Sequence, residues 1–145
     1  NYGVAGQAGL GMFEAAVEKG GKESGLICIG VDSDQGMIFM DKGETAKAEI
    51  TATSMMKRVD LSLFDAVKAY MDGNLTYGET ASVGMAEGCV GLADNELYTT
   101  IVPEEIRTKI AETSAKFQSG EITCGTAFGM SIEDYNAMVD SVAIK

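Results

Sequence analysis

Apolar and polar positions change their spacing along this chain, and each change marks an element. Tyr2-Gly-Val-Ala-Gly-Gln-Ala-Gly-Leu-Gly-Met-Phe13 reads as the tail of a strand followed by a glycine turn. A helix is expected from about Leu10 to Lys19, because Met12, Phe13, Ala16 and Val17 recur on one face and Gly20-Gly21 ends the pattern. Leu26 to Val31 carries no charge, and Ile27, Ile29 and Val31 alternate with the small residues Cys28 and Gly30. That predicts a strand covered on both faces, ending on Asp32. Met37-Ile-Phe-Met40 and a charged polar loop through Lys47 come next, and the β-branched residues between Glu49 and Met56 predict a second strand.

Asp60 is placed to cap a helix from about Leu61 to Met71, with Phe64, Val67 and Met71 on its buried face and Gly73 as its stop. Thr80 to Met85 and Cys89 to Leu92 read as short strands around Glu87-Gly88. Pro103 opens a helix through about Gln118 on which Ile106, Ile110 and Phe117 share a face, and Gly120 closes it. Ser131 with Asp134 three residues later forms a capping-box pattern for a last short helix ending near Val139.

Composition narrows the chemistry. With 145 residues, 46% of them hydrophobic, the chain is the size of one ordinary domain. Its 11 Lys+Arg against 22 Asp+Glu give a net charge of −11, which repels phosphate backbones and argues against nucleic acid as a partner. The sequence contains no histidine, so the usual imidazole base, the Ser-His-Asp arrangement and histidine-ligated zinc are excluded. Cys28, Cys89 and Cys124 are far apart and odd in number, which fits small buried hydrophobes better than a zinc knuckle or a disulfide framework. No apolar run is long enough to span a membrane and no leader opens the chain, yet Asn1-Tyr2-Gly3 enters directly into a strand tail, as a fragment would.

In open α/β sheets a ligand sits outside the carboxyl ends of the strands, so Asp32 and the Gly6 to Gly11 turn are expected to share one crevice. A carboxylate there can accept two sugar hydroxyls through short charge-assisted bonds, and Lys57 at the mouth of the same crevice would pair with Asp32 and donate to the ligand. Spacing alone leaves the plainer alternatives open: a tight turn at the glycines, a solvated turn at Asp32 and Asp34, surface charge at Lys57-Arg58. A dinucleotide site is a further alternative, since Asp32 lies about 20 residues beyond the turn, where a ribose-binding acid would stand. The order of the glycines opposes it: Gly6, Gly9 and Gly11 give Gly-x-x-Gly-x-Gly, not Gly-x-Gly-x-x-Gly.

Taken as one pattern, Val4-Ala-Gly-Gln-Ala-Gly-Leu-Gly-Met-Phe-Glu-Ala-Ala16, Ile29-Gly-Val-Asp-Ser-Asp-Gln35, Thr53-Ser-Met-Met-Lys-Arg-Val-Asp60 and Glu87-Gly-Cys-Val-Gly-Leu-Ala93 resemble, in this order, the C-terminal part of the basic membrane protein family. These are nucleoside-binding lipoproteins that serve ABC importers. The resemblance runs from the first residue to at least Gly120-Glu-Ile122, with Cys89 standing where the family often has glycine. It implies a type I periplasmic-binding α/β fold of two lobes closing on a purine nucleoside. Residues 1–50 would lie in one lobe, 51–79 would cross to the other, and 80–145 would return and form the C-terminal helices. Carried over by motif, Asp32 and Lys57 hold the ribose and Gly6 touches it, whereas the aromatic base clamp and the base-reading residues belong to segments outside this chain. The resemblance further implies a nucleoside ligand, an ABC permease as partner, no cofactor, no metal and no catalysis. Anchoring would be through a lipid on a preceding part, with the protein on the outer face of the cell membrane or in the periplasm. The alternative of a different class is a nucleotide-dependent oxidoreductase domain whose glycine turn binds pyrophosphate. Neither partial sheet is expected to be complete within these residues, so hydrophobic edges should be exposed.

Overall fold

The uncharged run that ends on Asp32 forms the strand Cys28–Asp32 (β1), and the β-branched run forms Thr51–Lys57 (β2), which lies parallel beside it. The computed structural model describes residues 1–143. Val90–Leu92 (β3) pairs antiparallel with β2, giving a three-stranded sheet in the order β1-β2-β3. The β2–β3 ladder is extended at both ends, where Arg58 N–H donates to the Cys89 carbonyl and Ala93 N–H to that of Ser54, each at 2.8 Å. The expected strand tail at the start of the chain is a one-residue bridge, Tyr2 to Ile29, on the free edge of β1.

Helices follow the strands as a parallel pair requires. A 3₁₀ turn at Gly6–Gly9 leads into Leu10–Glu18 (α1), matching the expected helix. Between β1 and β2 the chain forms Gln35–Asp41 (α2) and Thr45–Ala48 (α3), so the Met37 to Met40 run is helical. The core lies where these helices meet the sheet: Phe13, Ala16, Cys28, Phe39, Ala48 and Ile50 are all buried in one cluster. The Phe13 and Phe39 rings meet edge to face with centroids 4.9 Å apart. The buried polar side chains of β2 are all hydrogen-bonded, as burial demands. Thr51 donates to the Lys47 carbonyl, Thr53 donates to the Ala93 carbonyl, and Ser54 Oγ accepts from Gln35 N–H.

The second half departs from expectation in two ways. Residues 80–85 are not a strand, because Glu87 accepts from the Gly84 amide while the Gly84 carbonyl accepts from Cys89 and Val90, closing the segment into a turn. Gly88, at φ 73°, takes the left-handed position of that turn, so Cys89 is simply a buried residue leading into β3. The helix after β2, Val59–Met71 (α4), starts from Arg58, not from an Asp60 cap, and its apolar residues Phe64, Val67 and Met71 face outward. Within this chain β2 is the middle strand of the sheet. All strands among the described residues pair within this one sheet, so the expected two partial sheets are replaced by one. Exposed apolar side chains lie mostly on helices, with Leu92 of β3 and the loop residues Tyr77 and Phe128 exposed as well.

Glu96–Ile101 (α5), Glu104–Gln118 (α6) and Ile132–Val142 (α7) complete the described elements. Pro103 precedes α6 and Gly120, at φ 76°, follows it, as expected. The Ser131 capping box is formed: Ser131 Oγ accepts from Asp134 N–H and donates to the Asp134 carboxylate. Of the cysteines, all free, Cys28 and Cys89 are buried and Cys124 is exposed. Among the described residues, no helix is long and apolar enough to cross a membrane.

Candidate functional site

Parallel pairing puts Asp32 opposite Met56, so the last residues of β1 and β2 arrive together at the carboxyl end of the sheet. There Lys57 Nζ lies 3.0 Å from Asp32 Oδ1. Both side chains are about half exposed, at 57% and 49%, so the pair is open to a ligand on one side. Asp32 is the one non-glycine among the described residues with a left-handed backbone, φ 70°. Such a conformation costs an L-residue about 1–2 kcal/mol, and where the surroundings impose it on a charged residue at a strand end, function is the natural reading.

The turn that follows Asp32 is tied down by hydrogen bonds. Gln35 N–H donates to Ser54 Oγ and Gln35 Nε2 reaches the Val31 carbonyl, tying the turn after β1 back onto β1 and β2. A side chain on Gly30 would collide with the Ser54 hydroxyl and with Gln35 Cγ at 2.7 Å, so glycine is required where the turn folds over the strand. Asp34 caps α2, accepting from Met37 N–H at 3.1 Å, and its other oxygen accepts from Asn95 Nδ2 at 2.8 Å. Asp34 is therefore occupied with local structure while Asp32 is free to face the cleft. Ser54 and Asn95, which position this loop, were not singled out by sequence. Asn95 precedes Glu96-Leu97-Tyr98 as a helix-capping asparagine, a signal that was open to reading, whereas nothing local marks Ser54.

The cleft around the ion pair has a volume of about 480 Å³ and is also lined by Met56, Arg58 and Asp60. Gly6 does not line it. With Gly3 and Gly9 it borders a separate pocket of about 20 Å³ against Gly30, Val31 and Gln35, room for little more than a water molecule. The structure thus brings Asp32 and Lys57 together, while Gly6 borders the smaller pocket beside Gly30 and Val31. Among the described residues, no three His, Cys, Asp or Glu side chains are grouped to hold a metal ion.

Residues 2–123, which include both members of the ion pair and the whole sheet, match the Bmp family, described as ABC transporter substrate-binding protein PnrA-like. The chain belongs to this family. Over 96 residues it is 32% identical to Basic membrane protein D of Borreliella burgdorferi, covering 66% of this chain and 25% of that protein. It is 27% identical over 126 residues to the CD4+ T-cell-stimulating antigen of Listeria monocytogenes, covering 83% of this chain and 34% of the antigen. Among solved structures it is similar to an ABC transporter system solute-binding protein from Aeropyrum pernix K1, with a TM-score of 0.64 and 26% identity over 97% of this chain and 43% of the other. The fold is thus the α/β fold of ABC solute-binding proteins, and this Bmp-family chain spans a quarter to a third of the length of the curated relatives it matches.

Proposed function

We propose that this chain is the C-terminal part of a substrate-binding protein that captures a purine nucleoside outside the cell and delivers it to an ABC permease, performing no chemistry on the ligand. Family membership supports the transport role, and the Asp32–Lys57 pair supports the ligand class. A carboxylate has about four acceptor positions, of which Lys57 engages one, so Asp32 retains acceptors for two ribose hydroxyls while Lys57 retains donors for a ribose oxygen. The single observation that carries the reading is this pair, held at the strand ends by the left-handed Asp32 backbone. A second lobe, reached by a crossing within residues 51–79, supplies the contacts to the base and closes over the ribose. Gly6 shapes the turn beside β1 and touches the ribose only in the closed form. A lipid anchor on a preceding segment holds the protein at the outer face of the membrane.

The test is calorimetric titration of the two-lobed protein with a purine nucleoside and with the matching free base, in the wild type and in Lys57→Gln. The variant is expected to lose about 2 kcal/mol or more of nucleoside affinity, the scale of a charge-assisted hydrogen bond, and far less for the base. Equal losses for both would assign Lys57 to lobe closure or folding and refute its role at the sugar.

A further inference from the structure

The ligand cleft contains a second ion pair. Arg58, immediately after Lys57, grips Asp60 in the first turn of α4: Nη2 lies 2.8 Å from Oδ2, and Nε donates to Oδ1 at 3.0 Å and to Oδ2 at 3.2 Å. The Arg58 backbone is fixed from both sides, its N–H donating to Cys89 O and its carbonyl accepting from Ser62. Arg58 and Asp60 both line the cleft beside Asp32 and Lys57. We propose that Asp60, by neutralising Arg58, makes this cleft selective for an uncharged nucleoside over its phosphorylated form.

The inference rests on the nucleoside reading and adds a determinant to it. Two features of the cleft would otherwise attract a phosphate: a guanidinium, whose planar fork matches phosphate oxygens, and the N-terminus of a helix of 13 residues. Asp60 occupies both. The Arg58 guanidinium, together with the amides of Leu61 and of Asp60 itself, holds the Asp60 carboxyl below the usual carboxylate range, so it stays charged. The other cation, Lys57, is matched by Asp32. A phosphate dianion would have to break one of these pairs and then sit beside the released carboxylate, in a chain whose net charge is −11. A neutral ligand can use the spare acceptors of both carboxylates and break neither pair.

The two-lobed protein is titrated with adenosine, guanosine and inosine, and the tightest-binding nucleoside is compared with its own 5′-monophosphate. In the wild type the monophosphate should bind at least about tenfold more weakly than the nucleoside, the scale of breaking one charge-assisted hydrogen bond. In Asp60→Asn, which frees the guanidinium and keeps the side-chain shape, the ratio of the two dissociation constants should fall by about tenfold. In Arg58→Gln, which removes the cation and leaves the carboxylate, it should stay the same or rise. A ratio unchanged in Asp60→Asn, with nucleoside still bound by the wild type, overturns the inference and leaves the nucleoside reading standing. A wild type that binds no nucleoside overturns both.

Discussion

Asp32 carries two burdens, a left-handed backbone and a charge in an open cleft, and substitution can separate them. Glycine adopts φ 70° freely, so Asp32→Gly removes backbone strain and also removes the carboxylate beside Lys57. The expected outcome in chemical denaturation is stability unchanged or raised by up to about 1 kcal/mol, less the entropy that glycine adds to the unfolded chain. In titration the same variant should lose nucleoside binding. A loss of more than about 1 kcal/mol of stability would mean that the carboxylate is structural, contrary to its half-exposed position. Sequence marked Asp32 and Lys57 individually, through the strand-end aspartate and the Thr53-to-Asp60 motif. It did not reveal that Asp32 is left-handed, in a turn held by a bond between Gln35 and Ser54, 19 residues apart in the chain.

At the scale of elements, local bonds made some caps legible but not every turn, since the Gly84–Glu87 turn is equally local and reads as a strand. Ser131 and Asp134 are three residues apart and formed the expected box, and Asp34 capped α2 within its own turn. Asn95 combines a local and a distant role, capping α5 through Tyr98 N–H at 2.9 Å and holding Asp34 across 61 residues. Asn95→Ala should therefore cost about 1–2 kcal/mol in urea denaturation, more than an isolated cap, while Ser131→Ala on the exposed α7 costs less. The turn that replaced the expected strand at 80–85 predicts a pH response. The Gly84 amide holds the Glu87 carboxyl below its ordinary value of 4.5, so the folded state favours the charged form. This contribution is present in full above the unfolded value and is lost as pH falls through the lowered one. Hydrogen exchange at the Gly84 amide, corrected for intrinsic rate, should keep its protection down to pH 4.5 and lose it only as pH falls further in the wild type. In Glu87→Gln the same amide should show weaker protection with no such step.

Across the whole molecule, burial is uneven. The core of α1, α2 and α3 on the sheet is closed, whereas α4, α6 and α7 contain no buried residue. On α4, Phe64 is 64% and Met71 79% exposed, and an open apolar groove of about 510 Å³ runs between Ile106, Ile110 and Phe117 of α6 and Val90 and Leu92 of β3. The 145-residue chain by itself should therefore bind an apolar dye such as ANS at neutral pH with its secondary structure intact. Phe64→Ser should reduce that binding and change stability by no more than about 0.5 kcal/mol, because the ring is already in solvent. A loss of several kcal/mol would show that α4 is packed in solution.

The three-and-four spacing on α1 and α6, the uncharged run before Asp32 and the β-branched run of β2 determined those elements by themselves, because each depends on the period of its own side chains. Periodicity states which face of a helix is apolar and is silent on what covers it, and so Phe64 and Val67 were expected inside and lie outside. The pairing of β2 with β1 and the reversal that makes β3 antiparallel were decided only by tertiary structure. Each depends on hydrogen bonds between residues tens of positions apart, and those bonds leave no periodic trace in the residues that make them.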